Sequence, residues 1–156
     1  MAISITLREF LDKHHLAYET YRHPHSSTSR ETAELSWQSP EKLAKSVLLR
    51  DGEHYLLAVL PSNQRVHLGE LHRQYGHHLG LATEAEVSRV FADCETGAIP
   101  PTGLLYDIDT LVEDSLLDQP DVFFEGGDHT HLVHMMQGDF RRLLGDATHA
   151  HFSQPH

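Results

Sequence analysis

Ser46-Val47-Leu48-Leu49-Arg50-Asp51-Gly52-Glu53-His54-Tyr55-Leu56-Leu57-Ala58-Val59-Leu60 is the stretch on which the fold turns. Two apolar runs, Ser46–Arg50 and His54–Leu60, flank Asp51-Gly52, a dipeptide that favours tight hairpin turns. The runs are nearly continuous rather than alternating, which predicts strands covered on both faces, in the middle of a sheet. Pro61 has no N–H to donate and ends the second strand.

Upstream, Leu7, Phe10, Leu11 and His14 recur at helical spacing and predict a helix over about residues 6–14. Ala17-Tyr18-Glu19-Thr20-Tyr21 alternates as a short strand. His23-Pro24-His25-Ser26-Ser27 reads as loop. Thr28 with Glu31 has capping-box form and predicts a helix to about Leu35. Ser39-Pro40 reads as a cap and first turn of a short helix ending near Lys45.

Downstream, Leu68, Leu71 and Tyr75 mark a helix closed by Gly76. Thr83 and Glu86 repeat the capping box, with Val87, Val90 and Phe91 as the apolar face. Residues 104–112 read as extended. Asp121–Glu125 is a strand, Gly126-Gly127-Asp128 a turn, and His129–Val133 a second strand. Met136, Phe140, Leu143 and Leu144 give a last amphipathic helix. The order predicts one α/β (mixed α+β) domain over 1–146, with a curved mixed sheet, a barrel-like core and helices around it. Residues 147–156 read as a polar, His-rich tail that frays. There is neither regular βαβ alternation nor a Gly-rich phosphate loop.

The chain has 156 residues, a formal net charge of −11, 15 histidines and a single cysteine, Cys94. An acidic surface repels a phosphate backbone, which disfavours broad nucleic-acid binding but leaves room for a nucleic-acid end in a local pocket. No apolar run reaches the length of a membrane span and no signal-peptide pattern opens the chain, so no membrane partner and a cytoplasmic location are expected.

Gly97-Ala98-Ile99-Pro100-Pro101 is stiff, non-helical and poor in side-chain bulk. It is either a turn into the next strand or a loop whose main chain binds something. Gly97 and Ala98 can donate N–H groups; Pro100 and Pro101 only brace. Lys45 is either a solvated residue at a helix-to-strand junction or a cation at a pocket rim. His129 is either satisfied by a carbonyl or positioned to orient water, and Asp128 is either exposed or its partner. His129, His131 and His134 raise a metal site, but 134 leaves the face that 129 and 131 share, and no compact ligand pattern occurs, so no cofactor is expected. The tail histidines His149 and His151 read as solvated. Cys94 reads as a packed thiol rather than a nucleophile. Thr28, Tyr18 and Tyr21 are possible pocket walls, Thr28 being explained equally by capping.

Together these segments resemble the YbaK-type aminoacyl-tRNA deacylases, relatives of the editing domain of bacterial prolyl-tRNA synthetases. The carriers are His23-Pro24 with Thr28, Leu43–Leu49, Leu57–Pro61, Asp93–Pro101 and Gly126–His129, in order from about Leu7 to Leu144. The resemblance implies hydrolysis in trans of the ester joining a mischarged amino acid to the 3′-terminal adenosine of tRNA, and leaves room for a synthetase as partner. It implies Lys45, Gly97 and His129 as the catalytic set. Tyr18, Thr28, Ser46, Ala98, Ile99, Pro100, Pro101, Gly127 and Asp128 are implied to line the substrate. Ala98-Ile99-Pro100 departs from the small polar residues frequent in relatives, which points to a small, apolar amino acid. A non-catalytic module that captures an aminoacyl or nucleotide end is the alternative.

Overall fold

The structure, a computed structural model, describes residues 3–25, 32, 38–76 and 78–156. The helix expected from Thr28 to about Leu35 lies outside these, Thr32 apart.

The hairpin forms as its pattern requires. Strands β2 (Leu43–Asp51) and β3 (His54–Pro61) pair from Ala44↔Pro61 to Asp51↔His54. Gly52 takes φ +62°, the left-handed conformation that the turn needs. Leu57, Ala58, Val59 and Leu60 have no solvent exposure at all, so β3 is buried on both faces.

Around the hairpin lie β1 (Glu19–Arg22), β5 (Leu79–Leu81), β6 (Asp109–Glu113), β7 (Asp121–Glu125), β8 (His131–Met136) and β9 (Thr148–Ala150). The strand order is β1-β8-β7-β2-β3-β6-β9, with β5 also pairing β2. The β2–β7, β3–β6 and β6–β9 pairs are parallel and the others antiparallel. A separate two-stranded sheet joins β4 (Gln64–Val66) to β10 (Ser153–Pro155). This is the mixed α/β architecture that the alternation of hairpins and helices predicts.

Side-chain alternation along β2 and β3 sorts the core into two layers. Ala44, Leu48, Leu57 and Val59 face the larger layer, which α1 (Ile5–Lys13) and α5 (Gln137–Leu144) cover with Leu7, Leu11, Phe140 and Leu143. Leu49, Ala58 and Leu60 face a smaller layer closed by Leu71 of α2 (Leu68–Tyr75) and by Phe152. The Thr83–Glu86 capping box is present and opens α3 (Glu84–Val90), and a one-turn helix, α4 (Asp114–Leu117), follows β6. No described helix is long and apolar enough to cross a membrane.

Four expectations are corrected. Ser39-Pro40 opens a turn, closed by Lys42 N–H on the Ser39 carbonyl (3.0 Å), and β2 begins at Leu43. Lys45 therefore sits inside a strand, not at a helix end. Residues 104–112 are not uniformly extended: Leu104–Tyr106 is a 3-10 turn, Asp107 takes φ +58°, and β6 starts only at Asp109. The second strand after Gly126-Gly127 starts at His131, leaving His129 in the connection.

The tail does not fray. β9 extends the sheet beside β6, β10 pairs β4, and Phe152 is fully buried. Glu113, itself buried, accepts the N–H groups of Phe152 (3.1 Å) and Ser153 (2.8 Å) and the Ser153 hydroxyl. His149 pairs with Asp114 (2.8 Å) and His151 with Glu113 (3.2 Å). A run of polar letters hid one large apolar anchor and one buried acceptor. Replacing Phe152 with Ala should lower the unfolding free energy by about 3–5 kcal/mol, read by denaturant titration; a change below 1 kcal/mol would mean that the tail is not part of the core.

Candidate functional site

The site follows from a change of partners along β2. On the side away from β3, β2 pairs with β7 only at Leu43-Ala44 and with β5 only from Leu49 to Asp51. Between them, residues 45–48 have no strand partner on that side among the described residues; the Leu48 carbonyl accepts from Ala82 N–H (3.0 Å). A cleft of about 220 Å³ occupies this gap, walled by Ser46, Leu48, Ala82 and Val87 on one side and by Gly97 and Ile99 on the other. The Ser46 hydroxyl oxygen is buried with no hydrogen-bond partner, an unusual state for a buried polar atom.

The loop that faces β2 is clamped to the β7–β8 connection. Glu95 N–H donates to the Gly127 carbonyl (2.7 Å), and the Glu95 carboxylate accepts His129 N–H (2.8 Å). Gly127 takes φ +127°, and a Cβ there would lie 2.9 Å from Ser4 N. Gly97 takes φ +87°, and a Cβ would come within 3.3 Å of the His129 ring. No L side chain fits either place without strain. The Gly97 N–H has no partner among the described residues, and the residue is exposed.

The rest of the loop departs from expectation. Ala98 does not offer a donor: its N–H is spent on the Glu95 carbonyl (3.0 Å). Ala98, Pro100 and Pro101 are buried, so they support the loop from inside and do not line the cleft; of the loop's centre only Ile99 does.

His129 is also corrected. Its Nε2 lies 2.8 Å from the Thr96 carbonyl and its Nδ1 3.3 Å from Glu125 Oε2, and the residue is buried. Both ring nitrogens face protein atoms, so neither is aimed at a water in the cleft. Asp128 does not orient it: Asp128 accepts from Thr130 N–H (3.0 Å) and His131 N–H (2.9 Å) and pairs with the His131 ring (3.0 Å). His134 stacks on Phe123 and pairs with Asp121 (2.8 Å) and Glu19 (3.2 Å). The three histidines thus go to different carboxylates.

Glu125, the last residue of β7, is the part of the site that the sequence reading missed. It is 5% exposed and bridges His23 (2.7 Å from Oε1 to Nε2) and His129. Burial first, then the negative charges of Asp128 and Glu95, raise its pKa to about 9. Burial lowers that of His23. The His23 Nδ1 faces the Pro24 carbonyl (2.7 Å), which can only accept, so Nδ1 carries the hydrogen. Glu125 is thus a neutral acid donating to the bare Nε2 of His23. The signal was available: an acid closing the apolar run Val122-Phe123-Phe124 in a strand covered by helices has to be paired or neutral.

Lys45 lies on the opposite face of β2 from Ser46. Its ammonium reaches the Ser62 carbonyl (3.5 Å) and His156 Nε2 (3.1 Å) and has no carboxylate partner among the described residues; burial lowers its pKa. The structure does not bring it into the 220 Å³ cleft. Tyr18 packs against the larger core layer, Tyr21 is exposed with its hydroxyl on Glu19, and Thr28 lies outside the described residues. Burial pushes the Cys94 thiol up to about 12, beside Asp93 and Tyr106, so it is a packed thiol. A wider cleft of about 750 Å³ on the outer side of the loop is lined by Arg22, Asp93, Glu95, Gly127, Asp128 and His131.

Comparison with known proteins bears on the family and the fold. The family model described as an aminoacyl-tRNA editing domain matches residues 23–143. The fold superposes on a structure described as a candidate trans-editing enzyme for prolyl-tRNA synthetase, with TM-score 0.80, 23% identity and coverage of 98% of this chain and 99% of that one. It superposes as well on a structure described only as a hypothetical protein (TM-score 0.83, 22% identity, 96% and 99% covered). In a candidate signal transduction protein from Marinobacter aquaeolei, the same fold spans 30% of that chain and 96% of this one (TM-score 0.74, 21% identity). A search of curated protein sequences finds no match.

The proton on Glu125 has a measurable consequence. Its folded pKa of about 9 lies above the ordinary 4.5, so the folded state holds a proton that the unfolded state releases. Stability from this group is full below pH 4.5 and lost as pH rises toward 9. His23, lowered from 6.5, acts oppositely, costing stability as pH falls below 6.5. Above pH 7 the His23 effect has ended while that of Glu125 continues to about pH 9. Unfolding free energy should fall across that window in the native chain and stay nearly level in Glu125→Gln, by denaturant titration at each pH; equal slopes would place the proton elsewhere.

Proposed function

The chain belongs to the aminoacyl-tRNA editing domain family, and we propose that it is a trans-acting deacylase that hydrolyses the ester between a mischarged amino acid and the 3′-terminal adenosine of tRNA. The observation that carries this reading is the Gly97 N–H, unpartnered among the described residues, at the rim of a cleft beside a stretch of β2 that lacks a second strand neighbour among them.

Ester hydrolysis needs a donor where negative charge develops. Water adds to the carbonyl carbon, the oxygen becomes an oxyanion, and collapse breaks the bond to the ribose oxygen, which leaves with a proton. A preorganised N–H aimed at that oxyanion stabilises the transition state more than the ground state. In this reading Gly97 N–H is that donor. Ser46, whose buried hydroxyl lacks a partner, receives the amino group or a ribose hydroxyl. The apolar walls, Leu48, Ala82, Val87 and Ile99, with a volume near 220 Å³, fit a small, uncharged amino-acid side chain.

Lys45 completes the reading from the other face. A half-buried ammonium with no carboxylate partner among the described residues, in a chain of net charge −11, is costly unless an anion pairs with it. Residues 45–48 of β2 have no strand partner on the side away from β3 among the described residues, so a 3′ end lying across them would place its terminal phosphate toward Lys45 and its ester toward Gly97. The substrate's own hydroxyl or amino group assists the water, which accounts for the missing nucleophile–base pair. The reaction takes place in the cytoplasm, with a synthetase as the source of mischarged tRNA.

A panel of mischarged tRNAs tests this with the purified chain. At least one small amino acid should be released faster than in buffer. Lys45→Ala should lower kcat/KM by about 10- to 100-fold, the scale of a lost charge-assisted contact. Gly97→Ala should lower kcat by about 100-fold or more. Binding without hydrolysis of any panel member would instead identify a capture module.

A further inference from the structure

Four contacts join two main-chain carbonyls through three buried side chains. In order they are Pro24 carbonyl to His23 Nδ1 (2.7 Å), His23 Nε2 to Glu125 Oε1 (2.7 Å), Glu125 Oε2 to His129 Nδ1 (3.3 Å) and His129 Nε2 to the Thr96 carbonyl (2.8 Å). Both terminal groups are carbonyls and only accept. Each contact needs one hydrogen, so the full chain needs four. Two neutral imidazoles and one neutral carboxylic acid hold three. Counted as neutral groups, the cluster is therefore one hydrogen short of four, and one contact of the four is not a hydrogen bond. Glu125 Oε2 and His129 Nδ1 are both buried, close to each other, and without a hydrogen bond.

The end of this chain matters because of what it holds. The Thr96 carbonyl and the Gly97 N–H belong to one peptide unit, which is planar and trans. Fixing the carbonyl on His129 Nε2 points the N–H the opposite way, off the histidine. If His129 carried its hydrogen on Nδ1 instead, bare Nε2 would face the Thr96 carbonyl, and the peptide would gain by flipping.

We propose that Glu125 is a positioning residue for Gly97: one proton taken up between His129 Nδ1 and Glu125 Oε2 completes the buried chain and locks the Thr96–Gly97 peptide with its N–H toward the cleft. The kinetic consequence rests on the reading of Gly97 given above; the lock itself does not. In the completed state Glu125 remains a neutral acid, donating to His23 and accepting from His129, and the single positive charge sits on His129. Charged groups face this cluster from every packed segment. His23 and His25 follow β1, with the His25 ring 5.5 Å from His129; Glu95 comes from the loop after α3; Asp128 precedes the histidine; His131 opens β8.

The test separates the lock from the reaction. In the native chain, nitrogen NMR of the labelled histidines and the Gly97 amide should show Nε2–H on His129 at pH 8. On acidification Nδ1 should gain its proton together with a shift of the Gly97 amide. Glu125→Gln offers the same donor toward His23 and the same acceptor toward His129, so it should preserve that coupled titration. Glu125→Leu offers neither and should abolish it. If the native Gly97 amide does not follow His129, or if Gln loses the coupling, the proposal is wrong whatever Leu does to folding. Kinetically, Leu should lower kcat by about 100-fold with little change in KM, and Gln should recover most of that loss. A native chain that hydrolyses no aminoacyl-tRNA would overturn the function while the NMR arm still decides the lock.

Discussion

The structure depends on one strand that cannot keep the same neighbour along its whole length. β2 needs partners on both edges because it runs through the middle of the sheet, yet β7 leaves it after Ala44 and β5 joins it only at Leu49. A gap in a ladder leaves main-chain groups unpaired, which costs free energy unless water or a ligand replaces the missing strand. The chain places its cleft there and sets the Gly97 loop against it. An interior gap of this kind combines a rigid wall, β2 held by β3 over eight residue pairs, with main-chain atoms that remain available.

The loop's rigidity comes from two sources of different kinds. Covalent stiffness comes from Pro100-Pro101, buried behind it. Non-covalent fixation comes from Glu95, whose main chain and carboxylate both hold the Gly126–His129 connection, and from His129 beneath the Thr96 carbonyl. The prolines fix where the loop runs; the histidine fixes which way one peptide faces. Only the second can change with conditions, because a proton can be gained or lost and a pyrrolidine ring cannot.

Legibility in the sequence tracks how local each interaction is. The hairpin, the Thr83–Glu86 capping box and the amphipathic α2 and α5 are written within ten residues of themselves, and all formed as expected. The tail was misread because its stability comes from Phe152 and from Glu113, about forty residues away. The loop's stiffness is legible in its glycine and prolines, but nothing local announces that the Ala98 N–H closes a turn on Glu95. His129 was placed in the site, yet the partners that give it a role, Thr96 and Glu125, come from different segments. Glu125 itself looked like the polar end of a strand.

The charge distribution bears on how an acidic protein can select a nucleic-acid end. With a net charge of −11, approach of a duplex is opposed at long range, and only a terminus thin enough to enter past the surface carboxylates gains contact with a cation. Lys45 has the properties for that: it is half-buried, and among the described residues it lacks a carboxylate partner and lies on the stretch of β2 without a second strand neighbour. Because its surroundings are partly desolvated, its attraction for a phosphate is less screened than that of a surface lysine. On the proposed reading, the same acidity that repels the body of a tRNA would sharpen preference for its end.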